Sequence, residues 1–259
     1  MTLPRSFFEP TDDGRFLATA MAMGPWDPRY LHGGPPSALL VGALERLEGH
    51  TDFLLAQVTI TFHRPVPFGP LRVDSRIDRA GRTVQSVSAT LADDRGVVLS
   101  AVGLRSRIDR LSIPQGAQPW PEAESLERFV FPFFQADVSY HRAVDIRIAG
   151  GTWGTTPIRC WARSVIPLVE GTPTSGYEHT VILADAQSGM GTPLPPSDYS
   201  YVNPNLAVYF ARAPEPGWLG LSILSIAGDT GGGLSQSRLR DGRGWFGGAA
   251  QNLIVRSMS

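Results

Sequence analysis

The sequence predicts an α+β protein made of two repeats, each a helix followed by an antiparallel meander, sharing one continuous sheet. Three observations predict it. The chain repeats itself at a fixed spacing. Each half opens on an apolar run of helical period and continues in runs of strand period. A proline-rich stretch separates the halves.

The repeat comes first, because it sets the architecture. Phe62 and Arg64 match Phe210 and Arg212 at an offset of 148 residues. Arg95-Gly96 and Ala101 match Arg243-Gly244 and Ala249 at the same offset. One offset held over residues 62–101 reads as a duplication. Two unrelated sheets with similar turns would also give short matches of this kind.

In the first half, Ala38, Leu39, Val41, Ala43, Leu44 and Leu47 recur with helical spacing behind Pro35, and Gly49 follows as a stop. Residues 35–47 therefore read as a helix. Strand-like runs follow at residues 56–63, 71–80, 83–93 and 97–108. Val87, Ala89 and Leu91 alternate with Ser86, Ser88 and Thr90, the period of a half-buried strand. Asp93-Asp94-Arg95-Gly96 supplies a hairpin turn. Pro114, Pro119, Pro121 and Pro132 then mark a connector that wraps the outside. It is expected to hold a helix over residues 122–130 and to be tacked down by ordinary packing of the aromatics at 131–134. The second half reads as a helix over residues 179–189, with strands at 158–165, 206–212, 218–227, 233–240 and 245–255. A lone helix covers one face of a curved sheet, and two such units joined edge to edge share a larger core. The units then run over residues 1–112 and 151–259, with the connector at 113–150.

Composition excludes several functions. With 42% hydrophobic and 18% charged residues the chain can build a core, so disorder is excluded as its main state. A net charge of −1 gives no field to recruit nucleic acid or an anionic membrane. Every basic residue is arginine, which removes a Schiff-base lysine and a P-loop lysine. Gly228-Asp-Thr-Gly-Gly-Gly therefore makes no phosphate loop, and no Gly-x-Ser-x-Gly elbow is present. The single Cys160 allows no disulfide within the chain and sits in a strand-like run as a packed residue. His32, His50, His63, His141 and His179 contain no pair at helical ligand spacing, so neither a metal nor a cofactor is expected. No apolar run is long enough to span a membrane, and the first ten residues lack the apolar core of a signal peptide. The expected setting is cytoplasmic.

The repeat lets one half serve as a control for the other. At the offset of 148, Asp185 falls on Ser37, Asn203 on Leu55 and Gln251 on Gly103. The second half thus carries a carboxylate and two carboxamides that the first lacks. Asp185 lies in Val-Ile-Leu-Ala-Asp-Ala-Gln-Ser-Gly, an apolar helical run, where a buried carboxylate would serve as a general base or orient water. An Asp on the helix's polar edge or capping its end is the alternative. Gln251 follows small residues that admit a close neighbour, or simply faces solvent. Asn203, before Pro204, also suits plain turn chemistry. Tyr30-Leu-His-Gly-Gly-Pro-Pro-Ser places Gly33 and Gly34 at a helix start. Backbone N–H groups there could polarise a carbonyl, or the glycines serve only the turn. His32 has no partner visible in the sequence.

Leu31-His-Gly-Gly-Pro-Pro-Ser-Ala-Leu-Leu and Phe62-His-Arg-Pro-Val-Pro-Phe-Gly resemble the double-hotdog acyl-CoA thioesterases of the thioesterase II type. So do Arg79-Ala-Gly-Arg, Leu183-Ala-Asp-Ala-Gln-Ser-Gly, Val202-Asn-Pro-Asn-Leu-Ala-Val, Asp241-Gly-Arg-Gly and Ala249-Ala-Gln. The resemblance covers nearly the whole chain and implies a double hotdog, with both long helices on one face of a continuous sheet. It implies hydrolysis of a fatty or related acyl-CoA. Asp185 matches the family's catalytic Asp and Gln251 its Gln, while Asn203 stands where the family has a water-orienting Thr. His32, Gly33 and Gly34 would bind substrate, and Arg64, Arg82 or Arg212 would meet the CoA part. A homo-oligomer is left open. Two alternatives remain: a non-catalytic acyl-CoA binding protein, and a hotdog enoyl-thioester hydratase, which needs an Asp–His pair within one half that the second-half helix does not supply.

Overall fold

The computed structural model describes residues 3–49, 51–112, 119–134 and 136–258. His50 and Pro114, named above, lie outside them. The first half contributes β1 (Phe8–Pro10), β2 (Phe16–Ala18), helix α1 (Gly34–Glu45), β3 (Phe53–Phe62), β4 (Pro70–Arg79), β5 (Val84–Asp93) and β6 (Gly96–Arg107). Then come β7 (Arg128–Phe129), the short helix α2 (Tyr140–Ala143), β8 (Val144–Gly150) and β9 (Ile158–Ser164). The second half adds helices α3 (Gly176–Ala184) and α4 (Gln187–Gly191). Its strands are β10 (Tyr199–Val202), β11 (Asn205–Phe210), β12 (Leu219–Ala227), β13 (Gly232–Asp241) and β14 (Gly244–Ser257).

The strands form one sheet in the order β1-β2-β4-β5-β6-β3-β11-β14-β13-β12-β9-β8-β7, with β10 paired to β14. At its centre β3 lies antiparallel to β11, and Thr59 faces Ala207, its own counterpart 148 residues on. A pseudo-twofold axis therefore passes through that pair. Thr59 pairs with Val102 as Ala207 pairs with Ala250. Ala89 pairs with Ala101 as Ser237 pairs with Ala249. Asp74 pairs with Thr90 as Ser222 pairs with Arg238. The offset of 148 thus holds through four strands on each side.

Two clasps repeat with it. The Arg64 guanidinium donates to the Asp93 carboxylate and to the Gly96 carbonyl. The Arg212 guanidinium donates to Asp241 at 2.6 Å and to the Gly244 carbonyl at 3.0 Å. Each ties one strand end to a hairpin, and Arg64 holds the Asp93 carboxyl down at about 2. Two of the three arginines expected to meet CoA, Arg64 and Arg212, are thus each paired with a carboxylate of the protein; Arg64 still lines the cavity, and Arg82 is exposed outside both clasps.

The helices depart from the common offset. They begin at Gly34 and Gly176, 142 residues apart, so the match of Asp185 with Ser37 holds on the count of the sheet alone. Pro35 and Pro36 are tolerated because the first N–H groups of α1 have no partner within the helix. α3 opens with a capping box: the Ser175 hydroxyl accepts from the Glu178 N–H, and the Glu178 carboxylate accepts from the Ser175 N–H. Both helices are buried nearly all round, as a layer between sheet and loops must be. They touch through Gly34, where a Cβ would stand 2.4 Å from the Ile182 carbonyl oxygen.

The helix expected over residues 122–130 is absent. Ala123–Ser125 forms one tight turn, and Arg128–Phe129 joins the sheet edge as β7. So short a segment cannot hold a helix against a waiting strand partner. The connector's last residues likewise become β8. Finally, the ladder of β3 slips between Leu55 and Gln57. At the corresponding place in the second half the strand breaks into β10 and β11, with Asn203-Pro204 in the gap. Pro204 has no N–H for a ladder, and the break frees Asn203 to serve the helix layer.

Candidate active site

Asp185 caps the C-terminus of α3, where the expected single helix breaks before α4. The two readings of the sequence, cap and buried acid, are both true: Asp185 is 5% exposed. Its Oδ1 accepts from Asn203 Nδ2 at 2.8 Å and from Gln251 Nε2 at 3.1 Å. Gln251 Nε2 also donates to the Asp185 carbonyl at 2.9 Å. The fully buried Gln251 thus grips both main chain and side chain of Asp185 from β14. Asn203 Nδ2 makes a further bond to the Asn205 carbonyl at 3.3 Å.

Asp185 Oδ2 lies 3.2 Å from Nδ1 of His32, on the other half of the chain. This is the partner the sequence could not reveal. The Gly34 N–H donates to the same Nδ1 at 3.1 Å and is also a backbone donor to the Asp185 carboxylate. Burial lowers His32 to about 3 and raises Asp185 to about 6, the latter opposed by the bonds from Asn203, Gly34 and Gln251. The imidazole is therefore neutral at pH 7, and its Nδ1, which accepts from the Gly34 N–H, meets the Asp185 carboxyl as a close polar contact rather than an ion pair. His32 stacks on Tyr140 at a centroid distance of 3.8 Å and an angle of 3°, while the Tyr140 hydroxyl donates to the Ile182 carbonyl at 2.8 Å. The ring is locked.

The glycines are packed rather than merely turning. A Cβ on Gly33 would stand 2.7 Å from Phe62 Cε1 and 2.8 Å from Asp185 Oδ2. Gly34 corrects the expectation that its N–H polarises a substrate carbonyl, because that N–H is turned inward to His32 and Asp185.

These groups face a cavity of about 530 Å³. Asp185, Asn203, His32 and Gly33 line it; Gly34 and Gln251 stand behind it. Phe131, Phe133 and Phe134 also line it, so the connector's aromatic run builds a site wall and is more than ordinary packing. Neither pattern nor motif signalled this. Cys160 is buried away from the site, with its thiol pushed up to about 12. Among the described residues no cluster of His, Cys, Asp and Glu is arranged to hold a metal.

The family profile described as the acyl-CoA thioesterase N-terminal domain matches residues 22–106. The one described as the acyl-CoA thioesterase C-terminal domain matches residues 114–255. A structure from Alicyclobacillus acidocaldarius, described as a conserved protein of unknown function with a hot dog fold, has a TM-score of 0.74, at 16% identity over 96% of each chain. Acyl-CoA thioesterase II TesB2 of Mycobacterium marinum has a TM-score of 0.67, at 15% identity over 97% of this chain and 96% of its own. The tesB protein of Mycobacterium avium subspecies paratuberculosis has a TM-score of 0.68, at 15% identity over 96% of this chain and 95% of its own. At such identities these structures establish the fold, a double hotdog. No curated protein sequence matches the chain.

Proposed function

The chain belongs to the acyl-CoA thioesterase family, and we propose that it hydrolyses an acyl-CoA with a water activated by Asp185. The observation that carries the mechanism is a buried carboxyl on the cavity wall, raised to about 6, with its other contacts satisfied. A base so tuned is ionised at neutral pH and still takes a proton readily.

Asp185 removes a proton as the water oxygen attacks the thioester carbonyl carbon. The tetrahedral intermediate then breaks its C–S bond, and the proton passes from Asp185 to the departing thiolate. Acid and CoA are the products. Asn203 and Gln251 hold Oδ1, which fixes the plane of the carboxylate. Because Asn203 Nδ2 is committed to Asp185, its carbonyl oxygen is the group left to accept from the water. His32 holds Oδ2 and yields space to substrate on the cavity side. A cytoplasmic setting and a role in lipid metabolism go with this reading, and a homo-oligomer stays open.

One observation favours a second reading. An Asp–His pair of the residue types an enoyl-thioester hydratase uses is present, although it is assembled from both halves rather than within one. Release of CoA from saturated acyl-CoAs, measured beside hydration of an enoyl-CoA in wild type and Asp185→Asn, separates the two. Absence of both reactions, with acyl-CoA binding measured directly, marks a protein that binds acyl-CoA without turnover.

A further inference from the structure

Five rings form a stacked file that starts at the surface and ends on the candidate base. Trp26, 44% exposed, stacks on Phe133 at 6.0 Å and 5°. Phe133 stacks on Phe134 at 5.3 Å and 23°, and Phe134 on Tyr140 at 6.4 Å and 24°. Tyr140 covers His32, which touches Asp185. All five rings line the cavity.

Along the file the ring planes are nearly parallel, at centroid distances of 3.8–6.4 Å, and every ring borders the cavity. Ring edges carry the positive end of the quadrupole and faces the negative end. An acyl group with an aromatic ring therefore gains offset-stacked or edge-to-face contacts here. A methylene chain gains burial alone. The wall is also stiff: each ring is held by the next, and the Tyr140 hydroxyl is tied to Ile182. The described lining contains no methionine, the side chain that lets a pocket remould around varied chains. Nor does the file suit the pantetheine arm of CoA, whose amides need hydrogen-bond partners that these rings do not supply.

We propose that the acyl group taken by this site is aromatic, an aryl- or arylalkanoyl-CoA, with its ring against the rings of Phe133, Phe134 and Tyr140 and its thioester carbonyl at Asp185. The proposal rests on the thioesterase reading and assigns that site its substrate class.

The test compares kcat/KM for phenylacetyl-CoA and octanoyl-CoA, which have the same number of acyl carbons, in wild type and Phe133→Leu. The expected result is a preference for phenylacetyl-CoA of about tenfold, shrinking about fivefold in the variant, as lost aromatic contacts require. Octanoyl-CoA used equally well or better by the wild type overturns the proposal and leaves the thioesterase reading standing. Hydrolysis of neither overturns the thioesterase reading instead. Binding of phenylacetate and octanoate, followed by the fluorescence of Trp26 and the other tryptophans, then decides the inference separately. Tighter phenylacetate binding, weakened in Phe133→Leu, supports it; equal binding overturns it.

Discussion

His32 Nδ1 and Asp185 Oδ2 stand 3.2 Å apart, although the two residues belong to opposite halves of the repeat. Neither half alone holds the pair, so the candidate site exists only because the two units share one sheet and one helix layer. The catalytic rate should therefore report on both halves at once.

The protonation of Asp185 sets the pH dependence. Its carboxyl sits at about 6, so kcat/KM should rise with pH through that value and level off above it. Its folded pKa lies above the ordinary value of 3.8, so the acid form is the one the fold favours. The stability this gives is present at pH values below 3.8 and is lost as pH rises through about 6. Asp185→Asn removes that loss, so the variant should gain stability over wild type as pH rises, by about 3 kcal/mol at pH 8. Burial keeps the folded His32 neutral across this range, and its protonation in the unfolded chain is common to both proteins, so it does not blur the comparison. Thermal melts from pH 5 to 8 check the sign; a difference that shrinks with rising pH would refute it.

Gly33→Ala and Gly34→Ala should fail in different ways. The added methyl at Gly33 meets the Phe62 ring and the Asp185 carboxylate, so kcat/KM should fall more than about tenfold with the fold intact. At Gly34 it meets the Ile182 carbonyl on the facing helix, so the cost should be about 1–3 kcal/mol of stability. Melting temperature and kinetics measured side by side distinguish them.

Gln251 positions Asp185 from behind the cavity. Gln251→Ala should lower kcat about tenfold or more while leaving KM within a factor of about two, because its contacts are with the base rather than the substrate. A rise in KM at unchanged kcat would place Gln251 against the substrate instead.

The clasp at Arg212 is the more buried of the two: Asp241 is 2% exposed there, against 11% for Asp93 in its twin. Arg212→Met leaves the Asp241 carboxylate without its cation and should cost about 3 kcal/mol or more. KM for acyl-CoA should not change, since Arg212 is spent inside the fold. A raised KM with an unchanged melt would restore it as a CoA contact.

Much of the fold was legible because a duplication writes itself twice. The offset taken from Phe62 and Phe210 is the one at which Thr59 meets Ala207 across the central strands. The alternation Val87, Ala89, Leu91 is the buried face of β5. The same comparison marked Asp185, Asn203 and Gln251, which the structure brings together. The rest was hidden for physical reasons. Local pattern does not encode a contact such as His32 with Asp185, which depends on how two helices cross. The helix over residues 122–130 failed because a sheet edge competes with weak local preference. Phe131 to Phe134 look like packing in a sequence, since an aromatic that lines a cavity and one that fills a core are the same residue.

The central claim is tested most directly by steady-state CoA release from a panel of acyl-CoAs, wild type beside Asp185→Asn. The account predicts turnover by the wild type and a fall of about a hundredfold or more in the variant, the scale of losing a general base. Equal release by the two proteins would contradict it.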